Sequence, residues 1–319
     1  MTFLHQPVFL DQAAEILCAA PGRRFVDATL GGGGHAAAIL TRRPDAELLG
    51  IDRDPNAIDA ASQRLASLAS RAHLCHDRFS NLEVCAASIG WQTVDGVLLD
   101  LGVSSPQLDT PERGFSFRFD GPLDMRMDPS AQTNTAADLL NNLSETELAD
   151  LFFNYGEERM SRRIARAIVA RRQEKPWQRT HDLAQLLEKI VGYKHQHGLH
   201  PATRCFQALR IAVNHELEEL ENTLPVAARL LSPQGRIAVI SFHSLEDRLV
   251  KNFFRHESSS CVCPPGLPVC TCGKTASLTL LTRKALRPTA AETQANPRAS
   301  CAKLRAASKN ETMNTADHF

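Results

Sequence analysis

No run of about 18 apolar residues occurs in this chain, although apolar residues make up 43% of it, so no membrane-spanning helix is expected. The opening Met1–Pro7 lacks a basic segment leading into an apolar one, and no secretory signal is expected. A soluble, cytoplasmic protein with no membrane partner is the resulting expectation. Net charge is lacking as well. With 36 Lys and Arg against 36 Asp and Glu, the chain as a whole selects neither a polyanion nor a polycation. Internal repeats are also missing. What remains is 319 residues, more than one typical core accommodates, which predicts a large α/β domain with a smaller second unit.

The charge is unevenly distributed. From Tyr155 to Arg179 the bases Arg159, Arg162, Arg163, Arg166, Arg171, Arg172, Lys175 and Arg179 outnumber Glu157, Glu158 and Glu174, and the stretch from Arg283 to Lys309 is also basic. Either run suits a row of phosphates, and either equally suits a solvated face.

Phe25-Val26-Asp27-Ala28-Thr29-Leu30 leads into four glycines, Gly31 to Gly34, then His35, and Leu48-Leu49-Gly50-Ile51-Asp52 follows. This reads as strand, glycine loop, helix, strand, acid. Glycines let the backbone adopt positive φ and approach a ligand, and the acid ending the next strand suits a ribose diol. Gly31, Gly33 and Ala36 also satisfy a G-x-G-x-x-A dinucleotide pattern, so the loop alone leaves a nicotinamide cofactor open.

Short apolar runs recur at Phe25–Ala28, Glu47–Ile51, Ala72–Cys75 and Val94–Leu99, with a helical stripe over Ala57–Leu68, which is the alternation of parallel βαβ units. After Asp100 a loop rich in Gly, Ser, Pro and Asp runs to about residue 135. Helical patterns then follow near Glu145–Tyr155, Glu158–Arg172, His181–Ile190 and Thr203–Leu220, with no strand pattern among them. Strands resume at Arg236–Ser241 and Ser277–Leu281. A helical insertion therefore splits one α/β domain, giving a division at 1–108, 109–215 and 216–319.

Ligands of an open parallel sheet bind beyond the carboxyl ends of its strands. Those ends deliver Asp27 and the glycines, Asp52, the run His76-Asp77-Arg78-Phe79, and Asp100 followed by Ser104-Ser105-Pro106-Gln107. Phe79 suits stacking on a purine and Asp77 an exocyclic amine. Four strand tips of this kind fit S-adenosylmethionine better than a dinucleotide. Asp52 as a helix N-terminal acid, Phe79 as core and His35 as a mere helix start are the plainer readings.

The segments LLDLGVSSPQLD (Leu98–Asp109), RGFSFRFDGPLDMRMD (Arg113–Asp128), YGEER (Tyr155–Arg159), HPATRCFQALRI (His200–Ile211), SFHSLEDR (Ser241–Arg248) and NPR (Asn296–Arg298) together resemble the ribosomal RNA small-subunit methyltransferase H family, formerly MraW, from about His5 to Lys309. The resemblance implies a Rossmann-like methyltransferase with a mostly parallel seven-stranded sheet and an inserted all-α domain. It also implies transfer of a methyl group from S-adenosylmethionine to the N4 amine of a cytidine in the decoding centre of 16S ribosomal RNA. The cofactor contacts it implies fall on Gly33, Gly34, His35, Asp52, Phe79, Asp100 and Gln107. One departure is Leu30 and Gly32, where many relatives carry Phe and Arg.

Methyl transfer to cytosine N4 is an in-line displacement on a poor nucleophile, and acceptors on the amine hydrogens assist it. Asp100, Ser104, Ser105 and the nearby Asp109 are the candidate acceptors, and His243 is a candidate relay for the departing proton. Ser241 or Ser244 is the expected cap of the helix that follows, with Glu246 and Asp247 in its first turn. Ser104-Ser105-Pro106-Gln107 has no aromatic after its proline, unlike amino-directed DNA methyltransferases, so Phe115, Phe117 or Phe119 is the candidate stacking partner of an unstacked base. The insertion is assigned to RNA docking through Arg159, Arg162, Arg163, Arg166, Arg204 and Arg210, and the expected partner is 16S RNA within the small ribosomal subunit. A homodimer is left open, as are a nonenzymatic ribosome-assembly factor and a nicotinamide-dependent oxidoreductase.

Cys261, Cys263, Cys270 and Cys272 form a C-x-C…C-x-C pattern inside one 12-residue loop. Thiols this close in a reducing compartment favour metal over a stable disulfide, with structural zinc as the leading form and a redox pair or free thiols as alternatives. The resemblance assigns these cysteines no role.

Overall fold

The computed structural model describes residues 7–193, 199–264 and 269–311. The chain forms two compact units, one from the chain through Gly102 together with the chain from Glu218 onward, the other from Val103–Leu217.

The first unit is built on a seven-stranded sheet. β1 (Arg24–Asp27), β2 (Glu47–Asp52), β3 (Ala72–His76), β4 (Val94–Asp100) and β5 (Leu231–Ser241) are parallel, and β7 (Lys303–Lys309) pairs antiparallel with β5 and with β6 (Leu278–Leu280). The spatial order is β3-β2-β1-β4-β5-β7-β6. Helices α1 (Leu10–Cys18), α2 (Gly34–Arg42), α3 (Pro55–Arg64) and α4 (Leu82–Ser88) accompany the first four strands. The second unit holds α5 (Ser105–Asp109), α6 (Ala136–Asn142), α7 (Glu145–Gly156), α8 (Ser161–Arg172), α9 (Thr180–Val191) and α10 (Thr203–Asn214). The chain continues through α11 (Glu216–Leu230), α12 (Ser244–Glu257) and α13 (Ala290–Ala295).

Strand alternation explains the two cores of the first unit. Val26, Leu49, Val97, Leu99, Ile237 and Val239 pack on one side of the sheet, and Phe25, Leu48, Leu98, Ala238 and Ile240 on the other. Neighbouring residues of one strand thus enter opposite cores, as period-2 geometry requires, and strands covered on both faces read as continuous apolar runs. The fold is a Rossmann-like, doubly wound α/β structure. Its strand order reverses between β1 and β4, so the crevice for a ligand opens at their carboxyl ends.

Three differences from the sequence reading have local causes. β7 lies in the stretch read only as a basic tail: Leu304 and Ala306 are buried while the intervening Lys303 and Arg305 donate to Asp247, each at 2.7 Å. Those cations therefore serve the fold. The expected Thr203–Leu220 helix is two helices, because His215 adopts a left-handed conformation with φ 53° and ends α10. The loop after Asp100 is also less irregular than expected. It contains α5, and farther on Asn214 anchors it, accepting from Met127 N at 2.9 Å and donating to the Met125 carbonyl at 2.8 Å.

The second unit has its own core, with Leu148, Phe152, Ile164, Trp177, Leu183 and Leu209 among its buried residues. Among its described residues there is no strand, only an isolated bridge between Pro122 and Arg179.

Candidate active site

The glycine loop between β1 and α2 is fixed by the acid at the end of β2. Gly31 N donates to Asp52 Oδ2 at 2.7 Å, and Asp54 N donates to Asp52 Oδ1 at 2.9 Å. Burial raises the Asp52 carboxyl above its ordinary range, and these two N–H groups oppose the shift. Gly33 caps α2 with φ 73°, and a Cβ there would stand 3.2 Å from Ala61 Cβ, so glycine serves both the turn and the approach of α3. A Cβ at Gly32 would meet nothing within 4 Å, so no close approach requires a glycine there.

At the switch point, Asp100 N donates to Thr29 Oγ1 at 2.5 Å, tying the tip of β4 to that of β1. Asp27 accepts from Thr29 N at 3.4 Å, and burial pushes its carboxyl up to about 7. Burial also pushes Asp100 well above the ordinary carboxylate range, and the nearby Asp27 and Glu246 carboxylates add to the shift. Asp27 Oδ2 and Asp100 Oδ1 are buried with no hydrogen-bond partner among the described residues. Two carboxyl oxygens left unsatisfied at neighbouring strand tips fit a ligand that brings donors or positive charge. His35, on the first turn of α2, reaches the same place, with Nδ1 3.7 Å from Asp100 Oδ2.

The other strand tips are partly committed to local structure. Phe79 is half-buried and packs against the sheet core, and Asp77 Oδ1 accepts from Arg78 N and Asn81 Nδ2, each at 2.7 Å. Asp77 therefore holds its own turn. The cap of α12 is His243, not Ser241 or Ser244: its Nδ1 accepts from Glu246 N at 3.4 Å, and Glu246 Oε2 accepts from Phe242 N at 2.8 Å. His243 lies on extended backbone one residue ahead of the helix, which is the geometry a cap needs. Its Nε2 stands 3.1 Å from Glu246 Oε1 and makes no hydrogen bond among the described residues.

One part of this region gave no sequence signal. Arg53 and Arg78, at the tips of β2 and β3, both reach Glu219 Oε1, at 3.5 and 3.2 Å. The partners are distant in the chain and share no motif.

In the helical unit, Ser104 and Gln107 close a capping box on α5, with Ser104 N donating to Gln107 Oε1 at 3.0 Å and Gln107 N to Ser104 Oγ at 3.4 Å. Ser105 is the first residue of that helix, and Asp109, its last, is exposed. The aromatic expectation needs correction. Phe115 is core at 6% exposure, and one face of Phe117 is covered by the His200 ring, with centroids 4.3 Å apart. Phe119, at 51% exposure, is the one of the three open to a base.

The arginines divide similarly. Arg210 is spent on a bidentate pair with Glu216, both contacts at 2.8 Å, and Arg204 Nη1 donates to the Glu157 carbonyl at 3.3 Å. Arg171 stacks over Trp177 and pairs with Asp182, and Arg172 donates to the Leu140 and Leu143 carbonyls. Arg166 pairs with Glu145. Arg159, Arg162 and Arg163 are exposed and make no ion pair among the described residues. They lie just before and within the first turn of α8, where the helix dipole disfavours cations, so their placement is not explained by helix stability.

Cys261, Cys263, Cys270 and Cys272 converge, their four Sγ atoms lying within 4.8 Å of one another. Residues 265–268 of that loop lie outside the described residues.

A model of the MraW methylase family matches residues 2–310. The chain is 50% identical over 309 residues to the ribosomal RNA small subunit methyltransferase H of Carboxydothermus hydrogenoformans, covering 97% of this chain and 99% of that one. It is 53% identical over 306 residues to the protein of the same name from Syntrophotalea carbinolica, with 95% and 97% covered.

Proposed function

Because the chain belongs to the MraW methylase family, we propose that it transfers the methyl group of S-adenosylmethionine to 16S ribosomal RNA, at the N4 amine of a cytidine in the decoding centre. The observation that carries this reading is the pair of carboxyl oxygens at the switch point, Asp27 Oδ2 and Asp100 Oδ1, which are buried without a partner among the described residues. They suit a ligand that brings positive charge, such as a sulfonium and an ammonium, and oppose the diphosphate of a nicotinamide dinucleotide.

S-Adenosylmethionine, when bound, supplies the electrophilic methyl. Asp52 is positioned to accept from the ribose hydroxyls, with its carboxylate already oriented by Gly31 and Asp54. Phe79 offers the adenine a ring face, and Gly33, Gly34 and His35 line the turn below. Gln107 completes the family's cofactor set by its place in the LLDLGVSSPQLD motif.

Cytosine N4 shares its lone pair with the ring, so the chain's task is to orient the amine and to stabilise charge as it develops. Asp100 Oδ1, enclosed and without a partner, is the acceptor we assign to one amine hydrogen. Ser104, Ser105 and Asp109 are the further acceptors in that motif, whereas His243 spends its Nδ1 lone pair on Glu246 N as the cap of α12 and does not serve as the relay expected from the sequence. RNA docking falls to the helical unit, where Arg159, Arg162 and Arg163 remain open for phosphates and Phe119 for a base.

The test is transfer of labelled methyl to small subunits from cells lacking this protein, followed by digestion to nucleosides. N4-methylcytidine made by the native chain and absent with Asp100→Ala is the expected result, and intact subunits should outperform free RNA. Intact cofactor binding without incorporation would replace this reading with that of a nonenzymatic assembly factor.

A further inference from the structure

The segment between α12 and β6 is closed at its base, where Ser277 N donates to the Glu257 carbonyl at 2.9 Å, but its described residues have no apolar core of their own. Val262 and Val269 are 50% and 70% exposed, and no helix or strand crosses the described part of it. Four thiols nevertheless meet there. Cys270 Sγ lies 3.5 Å from both Cys261 Sγ and Cys272 Sγ, and 3.9 Å from Cys263 Sγ, and Cys272 Sγ lies 3.9 Å from Cys261 Sγ.

These separations discriminate between the forms such a cluster can take. A disulfide requires about 2.05 Å, so none of these pairs is bonded. Free thiols attract one another weakly and thiolates repel, so neither gathers four sulfurs on an exposed loop. A tetrahedral ion with Zn–S bonds of about 2.3 Å sets its sulfurs about 3.8 Å apart, which matches the spacing found. The backbone supports the same state. Val262 N donates to Cys272 Sγ at 3.5 Å and Cys263 N to Cys261 Sγ at 3.4 Å, and hydrogen bonds of this kind stabilise sulfur that carries negative charge.

We propose that Cys261, Cys263, Cys270 and Cys272 bind one structural zinc ion as a four-thiolate site, which orders the connection between α12 and the antiparallel edge of the sheet. Four protein ligands close the coordination shell, so the site staples the loop and leaves no position for substrate. It does not depend on the methyl-transfer reading.

The test uses the full-length native chain, produced without a polyhistidine tag in zinc-supplemented cells. Elemental analysis should find about one zinc per chain, and titration with a mercurial should release it as the four thiols react. Cobalt substitution should give the intense visible bands of a tetrahedral four-thiolate site. Cys263→Ser with Cys270→Ser should lower the metal content at least about tenfold. Because the decisive readout is made on the native chain, folding of the variant does not limit it. Native protein with less than about a tenth of an equivalent of zinc and four freely reactive thiols would overturn the proposal, as would a disulfide found by mass.

Discussion

His35 Nδ1 faces Asp100 Oδ2 at 3.7 Å while His35 Nε2 stands 3.2 Å from the Val8 carbonyl. A carbonyl only accepts, so Nε2 carries the hydrogen there and Nδ1 turns its lone pair toward the carboxyl. Burial and the neighbouring Asp27 and Glu246 carboxylates raise the Asp100 carboxyl well above its ordinary range, a shift that a cationic ligand beside it would oppose.

Asp100→Asn should therefore lower turnover by about 100-fold or more while leaving the melting temperature of the ligand-free protein unchanged or raised. Single-turnover methyl transfer and thermal unfolding on one preparation check this. Loss of stability in parallel with loss of activity would assign Asp100 to the fold instead.

Asp52→Ala removes the expected ribose acceptor and also releases Gly31 N and Asp54 N. Charge-assisted hydrogen bonds of this kind contribute about 1.5–3 kcal/mol, so affinity for S-adenosylhomocysteine should fall roughly 10- to 100-fold. Calorimetric titration reads this directly. A change below threefold would remove Asp52 from the cofactor site.

Asp27 gives a prediction in pH. Its folded value of about 7 lies above the roughly 3.9 of an unfolded aspartate, so between those values the native state holds a proton that the unfolded chain has lost. The contribution of Asp27 is fully present below about pH 4 and is lost as pH rises through 7, a change on the order of 4 kcal/mol. Asp27→Asn should remove that slope, so that the variant gains on the native chain between pH 5 and 8 in urea unfolding. Parallel pH profiles for the two proteins would show that Asp27 is not a buried acid in solution.

How far the sequence carried depended on the kind of signal. Phe25–Ala28, Glu47–Ile51 and Val94–Leu99 were legible as strands because both faces are covered and the runs are continuously apolar. β7 was not, because the alanines it buries on its two faces, Ala306 and Ala307, give a weak apolar signal, and Lys303 and Arg305 read as tail charges although both pair with the distant Asp247. The cap of α12 was missed by one or two residues since serine is the commoner cap and histidine fills the position only through its Nδ1. Spacing also cannot separate Phe115 from Phe119, or Arg210 from Arg163. One of each pair is bound within the helical unit and the other is not, and the partners that decide it, such as Glu216, are a matter of packing.

That difference among arginines can be measured. If Arg159 and Arg163 meet phosphates, replacing each by alanine should weaken binding to small-subunit RNA without altering the fold, and should flatten the dependence of log affinity on log salt by about 0.7–0.9 per contact. Arg210→Ala should behave in the opposite way. It leaves Glu216, only 10% exposed, without its bidentate partner, so unfolding free energy should drop by about 1–3 kcal/mol while the salt slope stays the same. The two classes thus separate on two axes, salt response and stability. A salt slope unchanged by Arg159→Ala with Arg163→Ala would move the RNA-docking face away from the start of α8, because a cation that meets a phosphate must release a counterion and so contribute to that slope.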